Sequence, residues 1–190
     1  MGGMLATTFA VEFPKETERL VLINPIGLEN YGKYAQTKDV NFFYNREKGK
    51  TLVKARNYQK KNYYDGNWSN EYEELLIPLK GMLNGNDWDE VAWSNALTYG
   101  PIFSENLVSR FSEVKSKTSL IIGTRDKTGP GRGWLKPGVK KKLGQYNKLG
   151  KLTKKRIRNS TLYELKGIGH MPQFENYELF SKYFSKAMGF

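Results

Sequence analysis

Cysteine is absent from this 190-residue sequence, and histidine occurs only once. Without cysteine the chain forms neither a disulfide nor a zinc site with thiolate ligands, although the absence fits a reducing and an oxidising compartment equally well. No apolar stretch approaches the roughly 20 residues that a membrane-spanning helix needs. The first residues also lack the charged-then-apolar pattern of a secretory signal. We therefore expect no transmembrane segment and leave the localisation open between cytoplasm and periplasm.

Acidic residues are in the minority: 31 lysines and arginines stand against 19 aspartates and glutamates, for a formal net charge of +12. Much of the excess lies between Lys136 and Arg158. Such a segment can be an electrostatic patch for nucleic acid, an anionic membrane or an acidic substrate, or it can be a solvated helical face. No nucleic-acid-binding motif accompanies the charges, and the aromatic residues lie mainly elsewhere. We therefore favour the solvated face and expect no specific nucleic-acid partner.

Two polar residues each follow a short apolar run of strand length. Residues 119–123 form the first run, and Asp126 follows in a polar, glycine-rich turn. Residues 161–165 form the second run, His170 follows on a glycine-rich loop, and a helix is predicted to begin near Gln173. Ligand and catalytic groups in open α/β sheets lie at such carboxyl ends of strands. The pattern therefore predicts parallel strands that bring the acid and the imidazole to one edge of a sheet.

Each of these residues has an ordinary structural interpretation when it is taken alone. A strand-end aspartate is commonly a turn or cap residue, and a single histidine is commonly a structural hydrogen bonder. Together, Asp126 and His170 fit a pair in which the carboxylate fixes the imidazole tautomer and stabilises its protonated form while the imidazole acts as general base. They are our candidate catalytic residues, and such a pair still needs a nucleophile.

The N-terminal residues indicate where that nucleophile would lie in the sequence. Residues 1–10 predict a helix entered through small residues, and residues 12–14 end it before an apolar strand at 20–25. In a Gly-x-Ser-x-Gly nucleophile elbow, the serine occupies a strained strand-to-helix turn, and small residues must follow so that helix and strand pack closely. The N-terminus therefore favours a nucleophile position directly upstream of Met1.

Taken together, these segments resemble the C-terminal part of an α/β-hydrolase that begins just after the nucleophile elbow, which would read Gly-x-Ser-Met-Gly-Gly. The matching motifs are RLVLINPIGLE at 19–29, GTRD at 123–126 and GHMPQFE at 169–175. Their order agrees as well, since the family runs nucleophile, acid, histidine along the chain. The resemblance covers essentially the whole sequence. It implies an α/β fold with about three parallel strands of the hydrolase sheet, flanking helices and an inserted helical lid.

The sequence departs from the family pattern at the nucleophile. No serine precedes Met1, and no other Gly-x-Ser-x-Gly occurs in the chain. By the resemblance, the backbone N–H of Met1 would be one oxyanion-hole donor. We expect a truncated or mis-started gene product, or one piece of a split or decayed gene, with a missing N-terminal segment or partner chain and little activity alone. We also expect low stability, because the strand at about 19–24 would present an unpaired edge.

The long segment between the first two predicted strands is expected to contain structure of its own. We predict a helical lid at 29–114 inserted into a hydrolase core at 1–28 and 115–190. Its apolar and aromatic residues favour an apolar or aromatic-lined pocket, although lid packing explains many of them individually. They are Phe42, Phe43, Tyr44, Tyr58, Tyr63, Tyr64, Trp68, Tyr72, Leu75, Leu76, Leu79, Met82, Trp88, Trp93, Leu97 and Tyr99.

The resemblance implies a serine-type ester or related acyl hydrolase acting on a small apolar or aromatic substrate, with no metal or organic cofactor. The segments 56–59 and 63–68 also resemble lid sequence in a subgroup of bacterial α/β-hydrolases. Lid tyrosines polarise an epoxide oxygen in some members, so an epoxide hydrolase is an alternative, although those enzymes use an aspartate nucleophile. A second alternative is a non-catalytic binding protein that uses the basic segment on a decayed hydrolase fold.

Overall fold

The computed structural model describes residues 1–190, and its centre is a parallel sheet of three strands in the order β1-β2-β3. The strands are β1 at Arg19–Ile23, β2 at Lys117–Gly123 and β3 at Ser160–Leu165. Leu22 pairs with Leu120 between the first two strands, and Leu120 pairs with Leu162 between the last two. The predicted α/β fold, with three parallel strands, flanking helices and a helical segment between β1 and β2, is confirmed.

The two faces of the sheet are covered by different helices, as the two-residue period of a strand requires. Leu22 and Leu120 point to one face, where they pack with α1 at Gly2–Glu12 and α9 at Tyr146–Arg156. Ile121 points to the opposite face. Three successive residues of β2, from Leu120 to Ile122, are fully buried because a central parallel strand is covered on both sides.

The opposite face is covered by the last helix, α11 at Tyr177–Met188, which the sequence predicted with these bounds. The predicted stripe of apolar residues on this helix, which includes Phe180, Tyr183 and Phe184, packs against Ile121 and Leu165. The helix ends at Gly189, whose φ of 90° lies in the left-handed region that glycine adopts without strain. A short helix, α10 at Pro172–Glu175, precedes it.

Between β1 and β2 the chain is helical, as predicted. The helices are α2 at Tyr31–Tyr34, α3 at Val40–Lys48, α4 at Leu52–Asn62, α5 at Asn70–Glu74, α6 at Ile77–Asn84, α7 at Trp88–Leu97 and α8 at Tyr99–Ser104, with 3₁₀ helices at Leu107–Ser109 and Phe111–Glu113. Helices α3, α4 and α5 begin at capping side chains: Asp39, Thr51 and Ser69 accept hydrogen bonds from backbone N–H groups of the first turn. Division of the chain into a core and a lid domain stays a prediction.

Element boundaries differ from the sequence predictions by up to two residues. β1 ends at Ile23 because Asn24 adopts a left-handed backbone with a φ of 39°. β2 begins at Lys117 and β3 at Ser160, and α1 extends to Glu12. The other edge of β1 is unpaired, as expected. None of the helices is both long enough and apolar enough to cross a bilayer.

Candidate active site

Asp126 and His170 meet at the carboxyl edge of the sheet. The imidazole Nδ1 lies 2.7 Å from the Asp126 Oδ2, although the two residues are 44 positions apart. The Asp126 side chain is completely buried, whereas the His170 side chain is 20% exposed. The carboxylate therefore faces only protein groups, while the imidazole can be reached from outside.

The turn after β2 holds the carboxylate in place. The Asp126 N–H donates to the Gly123 carbonyl at 3.1 Å, and the Thr128 N–H donates to the Asp126 Oδ1 at 2.7 Å. Gly123 is required here because a Cβ would lie 2.3 Å from the Gly169 carbonyl oxygen. The turn of the acid thus packs directly against the loop of the histidine.

The hydrogen bonds of His170 select one tautomer. Its Nδ1 faces the Asp126 Oδ2 and also lies 3.0 Å from the Thr128 Oγ1. With a proton on Nδ1, the ring donates to the buried carboxylate and leaves the Nε2 lone pair free to accept a proton. The pair therefore has the geometry of a general base held by an acid.

Asn24 joins the carboxyl ends of all three strands, which the sequence analysis did not predict. Its Oδ1 accepts from the Gly123 N–H at 2.7 Å, and its Nδ2 donates to the carbonyls of Gly169 at 2.7 Å and His170 at 3.1 Å. The side chain is buried within this set of bonds. Its position directly after an apolar strand, the same signal that marked Asp126, could have identified it.

An ion pair fixes the histidine loop from its other side. Arg125 binds the Glu175 carboxylate, and both side chains are mostly buried. Glu175 also accepts from the Gly169 N–H at 2.7 Å, and Arg125 donates to the carbonyls of Gly167 at 2.9 Å and Tyr63 at 3.1 Å. Both charged residues lie in the motifs quoted above, but the sequence did not indicate that they pair.

Two of the predicted lid tyrosines lie close to His170. The Tyr63 ring packs on the His170 ring with centroids 4.5 Å apart, and the Tyr58 ring packs edge-on against Tyr63 at 5.6 Å. Burial raises the pKa of both tyrosines, and the negative charge of Asp126 raises it further. Both hydroxyls therefore stay protonated at neutral pH and can act as donors.

A cavity of about 710 Å³ opens beside these tyrosines, between α3, α4 and the residues around Tyr99. Of the predicted lining residues, Tyr58, Tyr63, Leu79 and Tyr99 contribute to it. Five of its twelve lining residues are hydrophobic, and three of these five are tyrosines. Phe43 and Leu97 line a second cavity of about 420 Å³. Other lid aromatics pack on one another, as Tyr64 does against Tyr72 at 3.7 Å.

The first turn of α1 lies at the same edge of the sheet as His170. Gly3 packs so closely against Pro25 that a Cβ would lie 2.4 Å from the Pro25 Cβ. Pro25 directly follows Asn24, which binds the His170 carbonyl. The assignment of the Met1 N–H to an oxyanion hole stays a prediction. The structure brings together no group of three or more His, Asp or Glu side chains that could hold a metal ion.

Neither a protein-family model nor a curated protein sequence matches the chain. Solved structures do match it. A probable hydrolytic enzyme from Pseudomonas aeruginosa PAO1 is 35% identical, with a TM-score of 0.93 over 99% of this chain and 61% of that one.

Two more distant structures share the fold. An α/β-hydrolase enzyme from a Medee basin deep-sea metagenome library is 16% identical, with a TM-score of 0.65 over 100% of this chain and 62% of that one. The enol-lactonase from Burkholderia xenovorans LB400 is also 16% identical, with a TM-score of 0.57 over 99% of this chain and 62% of that one. The chain thus spans about three-fifths of the length of these structures. With its parallel sheet and flanking helices, this chain has the fold of part of an α/β-hydrolase, as the sequence analysis predicted.

Proposed function

We propose that Asp126 and His170 are the acid and the base of a hydrolase that cleaves esters or related acyl compounds through an acyl-enzyme. The observation that carries the proposal is the buried Asp126 carboxylate 2.7 Å from the imidazole Nδ1 of a partly exposed histidine. Similarity to solved structures described as hydrolytic enzymes supports the reaction class. In this proposal residues 29–114 form the lid over a core made of 1–28 and 115–190.

The proposed mechanism begins with a proton transfer. The His170 Nε2 takes the proton of a serine hydroxyl as that oxygen attacks the acyl carbon, and Asp126 stabilises the imidazolium through the Nδ1–H. The imidazolium then gives the proton to the leaving group, and a water molecule releases the acyl group with His170 again as base. The Met1 N–H would hold the oxyanion together with a second donor. Loss of one such donor costs about 10² to 10³ in rate.

The printed sequence contains no Gly-x-Ser-x-Gly motif, so we propose that the serine lies outside these 190 residues. Removal of a triad nucleophile costs roughly a million-fold in rate. We therefore expect the 190-residue chain to hydrolyse 4-nitrophenyl esters at background rate. A polypeptide extended by the reading frame directly upstream of Met1 should hydrolyse them, and a fluorophosphonate probe should label its serine.

The variants His170→Ala and Lys155→Gln of the extended polypeptide complete the test. The first should abolish turnover, whereas the second, on the exposed face of α9, should retain it. Substantial turnover by the 190-residue chain that His170→Ala abolishes would contradict the missing nucleophile. Turnover by the extended chain that survives His170→Ala would contradict the role of the histidine.

Epoxide hydrolysis is a second candidate because of one observation. The ring of Tyr63 packs on His170 with Tyr58 beside it, and both hydroxyls stay protonated as donors for an epoxide oxygen. This reaction would use an aspartate nucleophile, which a fluorophosphonate does not label. Turnover of styrene oxide by the extended polypeptide, without labelling and without ester hydrolysis, would favour this candidate over the first.

A further inference from the structure

The 710 Å³ cavity beside Tyr58 and Tyr63 carries an excess of positive charge that the proposed mechanism does not use. Its lining includes Arg46, Lys50 and Lys54, against one carboxylate, that of Glu47. A neutral ester needs no cation to orient it, because such pockets are ordinarily apolar with a few placed polar groups. Three cations in one cavity lining therefore favour a ligand that carries a negative charge.

The single carboxylate is already neutralised. The Glu47 side chain is only 6% exposed and pairs with the Lys50 ammonium, and it also accepts from the Tyr99 hydroxyl at 3.2 Å. Glu47 and Lys50 thus cancel within the wall of the cavity. They leave two cationic side chains to act on a ligand.

Neither remaining cation has a carboxylate partner within ion-pair distance. The Arg46 guanidinium packs over the Trp134 ring at 5.1 Å, and the Lys54 Nζ donates to the Gly49 carbonyl at 2.6 Å. A guanidinium stacked on an aromatic ring keeps its in-plane N–H donors free, and these match the two oxygens of a carboxylate or phosphate. Both side chains can therefore receive an anion without breaking an existing ion pair.

The positive charge of Arg46 acts on Tyr58, whose ring packs against Tyr63, and on Tyr99. Burial raises the pKa of Tyr58 and of Tyr99, and Arg46 opposes that rise at both. Arg132 opposes it at Tyr58 and Tyr63 from the loop that follows Asp126. The cationic side of the cavity and the imidazole are thus separated by the two packed rings of Tyr58 and Tyr63.

We infer that this cavity binds a substrate with an anionic group, a carboxylate or a phosphate, on a small apolar or aromatic body, and that Arg46 and Lys54 hold the anion. The inference rests on the proposed hydrolase function, because it names the substrate of that same site. The anion lies at the far end from the bond to be cleaved. Tyr58 and Tyr63 contact the part of the substrate that lies between its anionic group and the bond to be cleaved.

Binding tests this inference without any turnover. The ¹⁵N-labelled 190-residue chain is titrated by NMR with 3-phenylpropionate, with the neutral 3-phenylpropionamide and with phenyl phosphate. We expect an anion to bind about twofold to fivefold more tightly than the amide at low salt, the range of a partly exposed ion pair. Tighter binding of 3-phenylpropionate assigns a carboxylate substrate, and tighter binding of phenyl phosphate assigns a phosphate.

Two charge-removing variants and a matched control locate the site. Arg46→Gln and Lys54→Gln should each reduce the preference for the anion, whereas Lys155→Gln on α9 should keep it. Equal binding of anion and amide, or an equal loss of preference in all three variants, would overturn the inference. His170→Ala should keep the preference while it abolishes turnover in the extended polypeptide. Failure of the anion site and failure of the catalytic proposal are therefore separate results.

Discussion

Asn24 shows how one side chain can hold the ends of three strands. It accepts from the Gly123 N–H and donates to the carbonyls of Gly169 and His170. Its backbone φ of 39° is one that asparagine tolerates better than most residues with a side chain. The residue therefore positions the histidine loop against the turn of the acid, without touching the imidazole itself.

Replacement of Asn24 by aspartate should be strongly destabilising. The substitution keeps the shape of the side chain but removes both donated hydrogen bonds and sets a carboxylate against two carbonyl oxygens. Loss of one partner from a buried hydrogen bond costs about 1–3 kcal/mol. We therefore expect the free energy of unfolding of Asn24→Asp, measured by urea denaturation, to fall by at least that amount. Asn159→Asp, at an exposed site, should change it little, and an equal loss in both variants would contradict the positioning role.

Residue chemistry explains which parts of the site were predictable. Asp126 and His170 lie in the short turn and loop that follow two apolar strands, so the sequence indicated that they share one edge of the sheet. The bonds of Asn24 and the Arg125–Glu175 pair depend on loop conformation and on side chains that approach from distant segments. No local pattern fixes such contacts, because a polar residue after a strand serves equally well as a turn residue.

Apolar patterns predicted the three strands, the first and last helices and the helical character of the segment between β1 and β2, since burial dictates where apolar residues must recur. Boundaries were less predictable because single backbone conformations decide them. β1, for example, ends where Asn24 turns left-handed. The positions of the helices between β1 and β2 depend on packing across this long connection, as in the stacking of Phe43 on Tyr99 at 4.2 Å. That contact joins α3 to α8, and no pattern in the sequence of either helix indicates it.

The connection between β2 and α9 is anchored by a buried glutamate that the mechanism does not use. The Glu29 Oε2 accepts from the Gly144 N–H at 2.8 Å, and its Oε1 lies 3.6 Å from the Lys141 Nζ. Gly144 packs against the Lys127 carbonyl, where a Cβ would lie 2.6 Å from the oxygen. Glu29 thus supports the segment that follows Asp126.

This glutamate should make the stability of the segment dependent on pH. Burial raises the pKa of Glu29, although the Gly144 hydrogen bond and Lys141 oppose the rise. Between the ordinary glutamate pKa and this raised value, the folded state binds the proton more tightly than the unfolded state does. The contribution of Glu29 to the free energy of unfolding is therefore most favourable at low pH and declines as pH rises through that window.

The variant Glu29→Gln isolates that contribution, because an amide oxygen still accepts from Gly144 but does not ionise. Relative to wild type, its free energy of unfolding should improve from about pH 4 to pH 7, by roughly 1.4 kcal/mol for each unit of pKa shift. Urea denaturation at a series of pH values measures this difference. Glu105→Gln, at an exposed position, serves as the control. A difference between Glu29→Gln and wild type that stays constant with pH would show that the carboxyl does not titrate differently on folding.

At the scale of the whole molecule, an unpaired strand edge and an exposed apolar surface lie on the same side of the sheet. β1 pairs with β2 only, and an open strand edge can pair with another chain. Beside it, α1 buries Met4 and Ala10 but exposes Leu5 and Phe9, and Phe13 follows the helix; these last three side chains are each at least half exposed. The rings of Phe9 and Phe13 lie 4.9 Å apart and extend this apolar surface past the end of the helix.

These features predict that the 190-residue chain associates with itself as its concentration rises, since contiguous exposed apolar surface favours association. Sedimentation velocity over a hundredfold range of concentration measures this. The double variant Leu5→Lys/Phe9→Lys should shift the distribution towards monomer, because each lysine places a charge at the centre of the apolar face. Val53→Lys, at an equally exposed apolar position on α4, should leave association unchanged. If the double variant associates as strongly as the parent chain, the open edge of β1 rather than α1 makes the contact. A chain that stays monomeric at every concentration would show that neither the open edge of β1 nor the apolar face of α1 drives association.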